Sequence, residues 1–355
     1  MRKSYKVAVL GAGDMGKNHI RGWKLAGHEV VSITDLNPET ARKAAELNGL
    51  EPGQVKFFED FYEAVADPEV EIVSVALPLA FHAPATIAAA RHGKHVFCEK
   101  PLASSLEDAR QMRDAVEQAG VKFAIGFQRN FAHGLELIAG WAKEGRFGRP
   151  MVFSSDLLQE VRPKRVMHDK FGNQGPVVDT LCHYMLMWQT VFGSEPVSVY
   201  ATGGVWAKGR PEIAHFKELA VDTAVVTVRY ASGDIGTMTI SWCLAKDTKM
   251  TPRPDRIFGP KGGAEGAFNT FGASAGKEIV LYEGDRIETV PLEIRDLFKI
   301  EFEAFVDGIE GRKPAPYGFA TGTEMLKLSY AVLESIETGK PVALPGRQAL
   351  QSLSV

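Results

Sequence analysis

Along the first part of the chain, apolar runs and helix-period stretches alternate. Residues 6–10 (KVAVL) read as a strand, 15–25 as a helix, 30–34 as a strand and 38–47 as a helix. Phe57 and Phe58 mark a short third strand, followed by a helix over 61–66. Residues 72–76 (IVSVA) are apolar almost throughout, as a strand covered on both faces should be. A helix over 84–92, a strand over 95–98, a helix over 106–119 and a strand over 123–127 complete the series. Strands alternating with helices in this way predict an α/β, doubly wound parallel sheet.

The pattern changes after Gly148. Residues 152–158, 197–202, 222–230, 235–242 and 278–282 read as longer strands, and Ala231-Ser-Gly-Asp234 is a hairpin turn. Helices are fewer, over 133–143, 176–192, 297–310 and 322–338. This predicts a mainly antiparallel α+β domain, with the chain divided into domains 1–130 and 131–355. Strands 224–230 and 237–242 carry apolar or aromatic residues on both alternating faces, and only one face can pack on the domain's own helices. The other face predicts a homo-oligomer, a homodimer or homotetramer.

Composition narrows the partners. A chain of 355 residues with a net charge of -3 gives no reason to expect nucleic acid or an anionic membrane as a partner. It has no apolar stretch long enough to span a bilayer, and the first strand starts too early to leave room for a signal peptide. Cys98, Cys182 and Cys243 lack metal-ligand spacing, so no metal is expected and reduced thiols in the cytoplasm are the simplest reading.

The first strand opens directly into Gly11-Ala-Gly13-Asp14-Met15-Gly16, the order of a dinucleotide-binding βαβ unit. Gly11 permits the tight turn, Gly13 lets backbone approach a pyrophosphate, and Gly16 lets the helix sit close to the strand. The helix that follows presents unpaired N–H groups to phosphate. Asp35 ends the second strand, about 20 residues on, where an acid would hold the ribose hydroxyls and disfavour a 2′-phosphate. NAD is therefore the expected cofactor. Ligands in such sheets bind beyond the carboxyl ends of the strands. Leu77 and His82 follow strand four there, and Glu99 and Lys100 follow strand five. Lys100 reads either as a solvated loop lysine or as an ammonium that polarises a reacting oxygen. Lys100-Pro101 is a candidate cis bond, because the turn must aim Lys100 into the cleft.

In the second domain, Gly175-Pro176 opens a largely apolar helix with Asp179 and His183 at i and i+4, on one face. They read either as a structural hydrogen-bonded pair or as a general base with its orienting carboxylate.

Taken together, these segments resemble the glucose-fructose oxidoreductase / inositol dehydrogenase (Gfo/Idh/MocA) family. The resemblance rests on residues 11–16 (GAGDMG), 99–101 (EKP) and the glycine-led Asp179–His183. Gly93-Lys94-His95-Val96, Gly126-Phe127 and 334–342 (ES…GKPV) are also similar, so nearly the whole chain is covered in order. It implies a Rossmann domain followed by a large, mostly antiparallel open sheet. It further implies reversible NAD-dependent oxidation of a secondary hydroxyl on a sugar, cyclitol or sugar-acid-like polyol. Lys100 would then bind the reacting oxygen, His183 accept its proton, and Asp179 bind substrate or steady the base. Gln128, Arg129 and Thr180 would contact substrate.

The chain departs from the pattern at Leu77-Pro78-Leu79, where Thr-Pro-Asn is usual, and at Gln128-Arg129-Asn130. The basic run from Arg162 to Arg165 and His168 reads as a solvated loop or as a substrate clamp for a carboxylate or phosphate. Two other functions remain compatible with these residues. One is an NAD-dependent glycosidase working through transient oxidation, and the other is a non-catalytic NAD-binding regulator.

Overall fold

Strands β1 (Lys6–Leu10), β2 (Glu29–Thr34), β3 (Lys56–Phe58), β4 (Ile72–Val75), β5 (His95–Glu99) and β6 (Phe123–Gly126) form one parallel sheet in the order β3-β2-β1-β4-β5-β6. The helices between them are α1 (Asp14–Leu25), α2 (Pro38–Leu47), α3 (Phe61–Ala66), α4 (His82–Arg91) and α5 (Leu106–Ala119). The strand order reverses between β1 and β4, which sets a crevice at their carboxyl ends. The computed structural model describes residues 3–51, 53–164, 166–248, 250–251, 253–269 and 276–344.

Side chains mark where most of these helices start. Asn37 caps α2 by accepting from the Glu39 N–H at 3.0 Å, with Pro38 in its first turn. Ser105 accepts from the Asp108 N–H at the start of α5, also at 3.0 Å. Ser74, the one polar residue of the buried strand β4, is satisfied by two side chains of α1. Its hydroxyl lies 2.8 Å from His19 Nδ1 and accepts from Trp23 Nε1 at 2.8 Å.

The second unit is built on a nine-stranded sheet. After α6 (His133–Lys143) come β7 (Val152–Glu160), α7 (Gly175–Asp179), α8 (Leu181–Phe192), β8 (Pro196–Gly204), β9 (Thr223–Tyr230) and β10 (Ile235–Leu244). Then follow β11 (Asp255–Gly259), β12 (Gly262–Gly266), β13 (Glu278–Glu283) and β14 (Arg286–Pro291). The strand order is β14-β13-β12-β11-β7-β10-β9-β8, closed at its far edge by β15 (Val342–Ala343). Only the central β7–β10 pair is parallel; the other pairs are antiparallel. One face is the core: Phe153, Ala201, Val226, Met238, Ile257 and Leu281 are buried. The cross-strand register puts Tyr200, Val225, Phe258 and Ile287 together on the opposite face, and all four are exposed.

The last two helices are α9 (Leu297–Ile309) and α10 (Phe319–Thr338). The contacts of α9 return it to the first unit, which runs to Gln128 and regains Asp296–Glu324; the second holds Arg129–Arg295 and the chain from Met325. The sequence division at 130/131 does not anticipate this return. Its cause is aromatic packing on α1, where Phe302 stacks flat on Trp23 at 4.2 Å and meets the His19 ring edge at 5.2 Å. No described helix is long and apolar enough to cross a membrane.

Candidate active site

The glycine turn after β1 is fixed by close backbone approach. Gly11 has φ 94°, and a Cβ there would lie 2.5 Å from the Ala76 carbonyl oxygen and 3.4 Å from the Leu77 side chain. At Gly16 a Cβ would overlap the Gly11 carbonyl oxygen. No residue larger than glycine fits either place, so the chain passes flat from β1 into α1. Gly13 is the N-cap residue of α1 and supplies no side-chain cap, unlike Asn37 or Ser105. α1 therefore starts without a hydrogen bond from an N-cap side chain. Asp35, at the end of β2, accepts from the Ala12 N–H at 3.1 Å and the Asn37 N–H at 3.0 Å. Two amide donors leave a carboxylate lone pairs for further donors such as ribose hydroxyls. The turn, the uncapped helix and the acid thus fit a dinucleotide.

Beyond β4 and β5, His82 spans two loops. Its Nδ1 lies 2.8 Å from the Pro101 carbonyl oxygen and its Nε2 3.0 Å from that of Leu77. Both ring nitrogens are engaged by main chain, so this side chain clamps the loops that carry Leu77 and Lys100. Burial holds its pKa below the ordinary histidine range. Lys100 is half-buried and its peptide bond to Pro101 is cis, as the sequence reading expects. The Lys100 N–H donates to Glu99 Oε2 at 3.2 Å, and Glu99 Oε1 lies 3.0 Å from His19 Nε2. The side chain of Glu99 therefore faces the core, against α1, and its carboxylate braces the main chain of Lys100.

Glu301 of α9 is fully buried near this pair. Burial and the Glu99 charge push its carboxyl well above the usual range, with only the Phe127 backbone N–H pulling it back. A raised folded-state pKa means the native protein holds this proton more tightly than the unfolded chain, so its contribution to stability falls as pH rises above the ordinary carboxylate range. Glu301→Gln, which mimics the protonated acid and has no proton to lose, should be at least as stable as the wild type near neutral pH and should abolish the fall with pH, whereas Glu301→Ala should cost about 2–4 kcal/mol relative to the glutamine variant through the cavity it leaves. Urea unfolding across pH checks this, and a glutamine variant that loses stability as alanine does refutes the neutral acid.

In the second unit the expected single helix over 176–192 is two. Thr180, with φ −120° and ψ −38°, separates α7 from α8. Its hydroxyl donates to Asp179 Oδ2 at 3.1 Å, and the His183 N–H bonds three residues back to its carbonyl. Such local side-chain bonding competes with the helical ladder. The i, i+4 face shared by Asp179 and His183 is thereby corrected: Asp179 ends α7 and His183 lies in the first turn of α8. Both are buried, at 7% and 2% exposure, which excludes them as solvated surface groups. Asn173 Nδ2 donates to Asp179 Oδ1 at 3.1 Å and fixes the carboxylate from the loop before α7.

The remaining predicted residues differ in setting. Gln128 is buried, and its amide oxygen has no hydrogen-bond partner among the described residues, which leaves an acceptor for a hydroxyl. Arg129 reaches Tyr184 Oη and Asn269 Oδ1, both at 3.5 Å. Arg162 is exposed, with its guanidinium over the Trp242 ring at 5.1 Å, and its N–H donates to His168 Nε2 at 3.1 Å. Arg165 lies outside the described residues. Sequence reading missed His19, Tyr184, Asp255 and Asn269. His19 lies one turn beyond Gly16, a local signal, whereas the other three have none.

The first domain, residues 5–127, matches the model of an oxidoreductase family with an NAD-binding Rossmann fold; residues 142–344 match that family's C-terminal alpha/beta domain. Myo-inositol 2-dehydrogenase of Thermotoga maritima is 27% identical over 96% of this chain and 98% of its own. The NAD(+)-dependent scyllo-inositol 2-dehydrogenase of Bacillus subtilis is 24% identical over 98% of this chain and 99% of its own. The structure of an aldose-aldose oxidoreductase from Caulobacter crescentus, complexed with glycerol, shares the fold with a TM-score of 0.82 at 22% identity, covering 96% of this chain and 100% of that one. With both domain models matched in order, the chain belongs to the Gfo/Idh/MocA family of NAD-dependent oxidoreductases.

Proposed function

We propose that the protein oxidises a secondary hydroxyl of a sugar or cyclitol reversibly to a ketone. The observation that carries this reading is that Lys100 stands at the carboxyl end of β5 while Asp179 and His183 are buried at the α7–α8 break, in a family of NAD-dependent oxidoreductases. NAD, held by the residues 11–16 turn and Asp35, supplies the ring that takes up hydride. Lys100 Nζ binds the reacting oxygen and stabilises the negative charge that develops there. The His183 ring accepts the hydroxyl proton, and Asp179 steadies that ring or binds a neighbouring hydroxyl. Gln128, Arg129 and Thr180 contact the rest of the substrate. A screen of cyclitols, sugars, sugar acids and glycosides, followed by NADH absorbance, tests the reading. Hydrolysis of an aryl glycoside without net NADH would replace it with the glycosidase reading.

The outward sheet face bearing Tyr200, Val225, Phe258 and Ile287 is proposed to pack against a second copy of the chain. Light scattering at micromolar concentration should give a dimer or tetramer mass, and Val225→Asp should lower it. A monomer mass for the wild type rejects the interface. Cys98, Cys182 and Cys243 carry no disulfide, which supports a cytoplasmic setting.

A further inference from the structure

Behind Arg129, placed above against the substrate, stands a network of polar groups that the proposed mechanism does not use. Its Nη1 is 3.5 Å from Tyr184 Oη and from Asn269 Oδ1, and its guanidinium carbon is 5.8 Å from the Tyr184 ring centre. The buried Asn269 amide is oriented from both ends, its oxygen toward the arginine and its Nδ2 donating to Asp255 Oδ2 at 3.1 Å. A flipped amide would set its N–H₂ against a cation and its oxygen against a carboxylate, so only this orientation serves both neighbours. Asp255, at the start of β11, also accepts from the Ser155 hydroxyl at 2.6 Å and the Phe268 N–H at 3.3 Å. The charged groups that act on it are Arg129, which favours its ionised form, and Asp156 of β7, which opposes it.

We propose that Asp255 is a positioning residue for Arg129 that also compensates its charge, so that this wall of the second unit suits a neutral polyol or sugar rather than a sugar acid. The inference rests on the functional reading above and narrows its substrate class. A carboxylate substrate would meet an arginine whose charge is already balanced through Asn269. A neutral polyol needs only directed N–H donors, and a held guanidinium supplies them. Burial pushes the Asp255 carboxyl up to about 6, so mild acid protonates it. Protonation removes the negative charge that strengthens the bond from Asn269 and balances Arg129, and so loosens the hold on the guanidinium.

The test compares KM and kcat for myo-inositol and D-glucose with those for D-glucuronate, in wild type and Asp255→Asn, across mildly acidic to neutral pH. The wild type should favour the neutral compounds near neutral pH, with KM rising below about pH 6. In Asp255→Asn, KM for the neutral compounds should rise about tenfold with kcat little changed, the neutral-to-acid ratio of kcat/KM should fall about tenfold, and the acid-side KM dependence should vanish. In an Arg129→Gln background, Asp255→Asn should add nothing. Should Asp255→Asn fail to fold, Asn269→Ala cuts the same chain and should show the same loss of ratio. An unchanged ratio and pH dependence in a folded variant overturns the proposal. A wild type that prefers the acid overturns it and leaves the functional reading standing. A wild type that oxidises neither class overturns both.

Discussion

Lys100→Met and His183→Ala should each lower turnover by about two orders of magnitude or more while the chain stays folded. The two differ in what else they change. Lys100 follows β5 on the Rossmann edge, so its loss should also weaken NAD modestly. His183 belongs to the second unit, so His183→Ala should leave NAD affinity within about threefold, a change worth roughly 0.7 kcal/mol. The pH dependence of alcohol oxidation should lose its rising limb in His183→Ala and keep it in Lys100→Met. Steady-state kinetics and NAD titration separate these outcomes. If His183→Ala keeps near-normal turnover and an unchanged profile, His183 is a structural residue of the α7–α8 break. His82 is then a poor substitute base, since both of its ring nitrogens face main-chain carbonyls.

Cofactor preference should be the other large effect. The Asp35 carboxylate lies beside the glycine turn, where a 2′-phosphate would meet a like charge, and Leu36 is exposed with no cation in its place. The kcat/KM for NAD should exceed that for NADP by about 100-fold, given several kcal/mol for such a juxtaposition. Asp35→Ser with Leu36→Arg should reverse the order. It should also raise KM for NAD, because the Ala12 and Asn37 amides lose their acceptor. Equal efficiency of the wild type with the two cofactors refutes the assignment.

The first sheet was legible because strands β1, β4, β5 and β6 are largely buried and three of its helices, α2, α3 and α5, begin at Asn37, Asp60 and Ser105, all readable as caps. The second sheet was legible only in part. β11 (DRIFG), β12 (GGAEG) and β14 (RIETVP) lack an apolar run, and pairing with neighbours sets their register rather than their own pattern. The break at Thr180 was hidden within a long apolar stretch, where composition reports burial but not continuity. Lys100, Asp179 and His183 could be singled out as candidates because each sits in a short local motif. Asp255 and Asn269 could not, since Asn269 lies 140 residues from Arg129 and no local spacing announces such a pair.

The return of α9 constrains how the cofactor-binding half can be made or moved. Phe298, Phe302 and Phe305 complete a core that Trp23 and Phe97 begin, so a gene fragment ending at Gln128 encodes the whole parallel sheet yet not a closed interior. On the ribosome, about 170 further residues must be added before Phe298 is made, on the order of ten to thirty seconds at ordinary elongation rates. Through that interval the aromatic surface of α1 lacks its cover and offers a natural hold for a chaperone. Anyone grafting this half onto another protein would need two separate pieces of chain, or a linker that brings α9 back to the sheet.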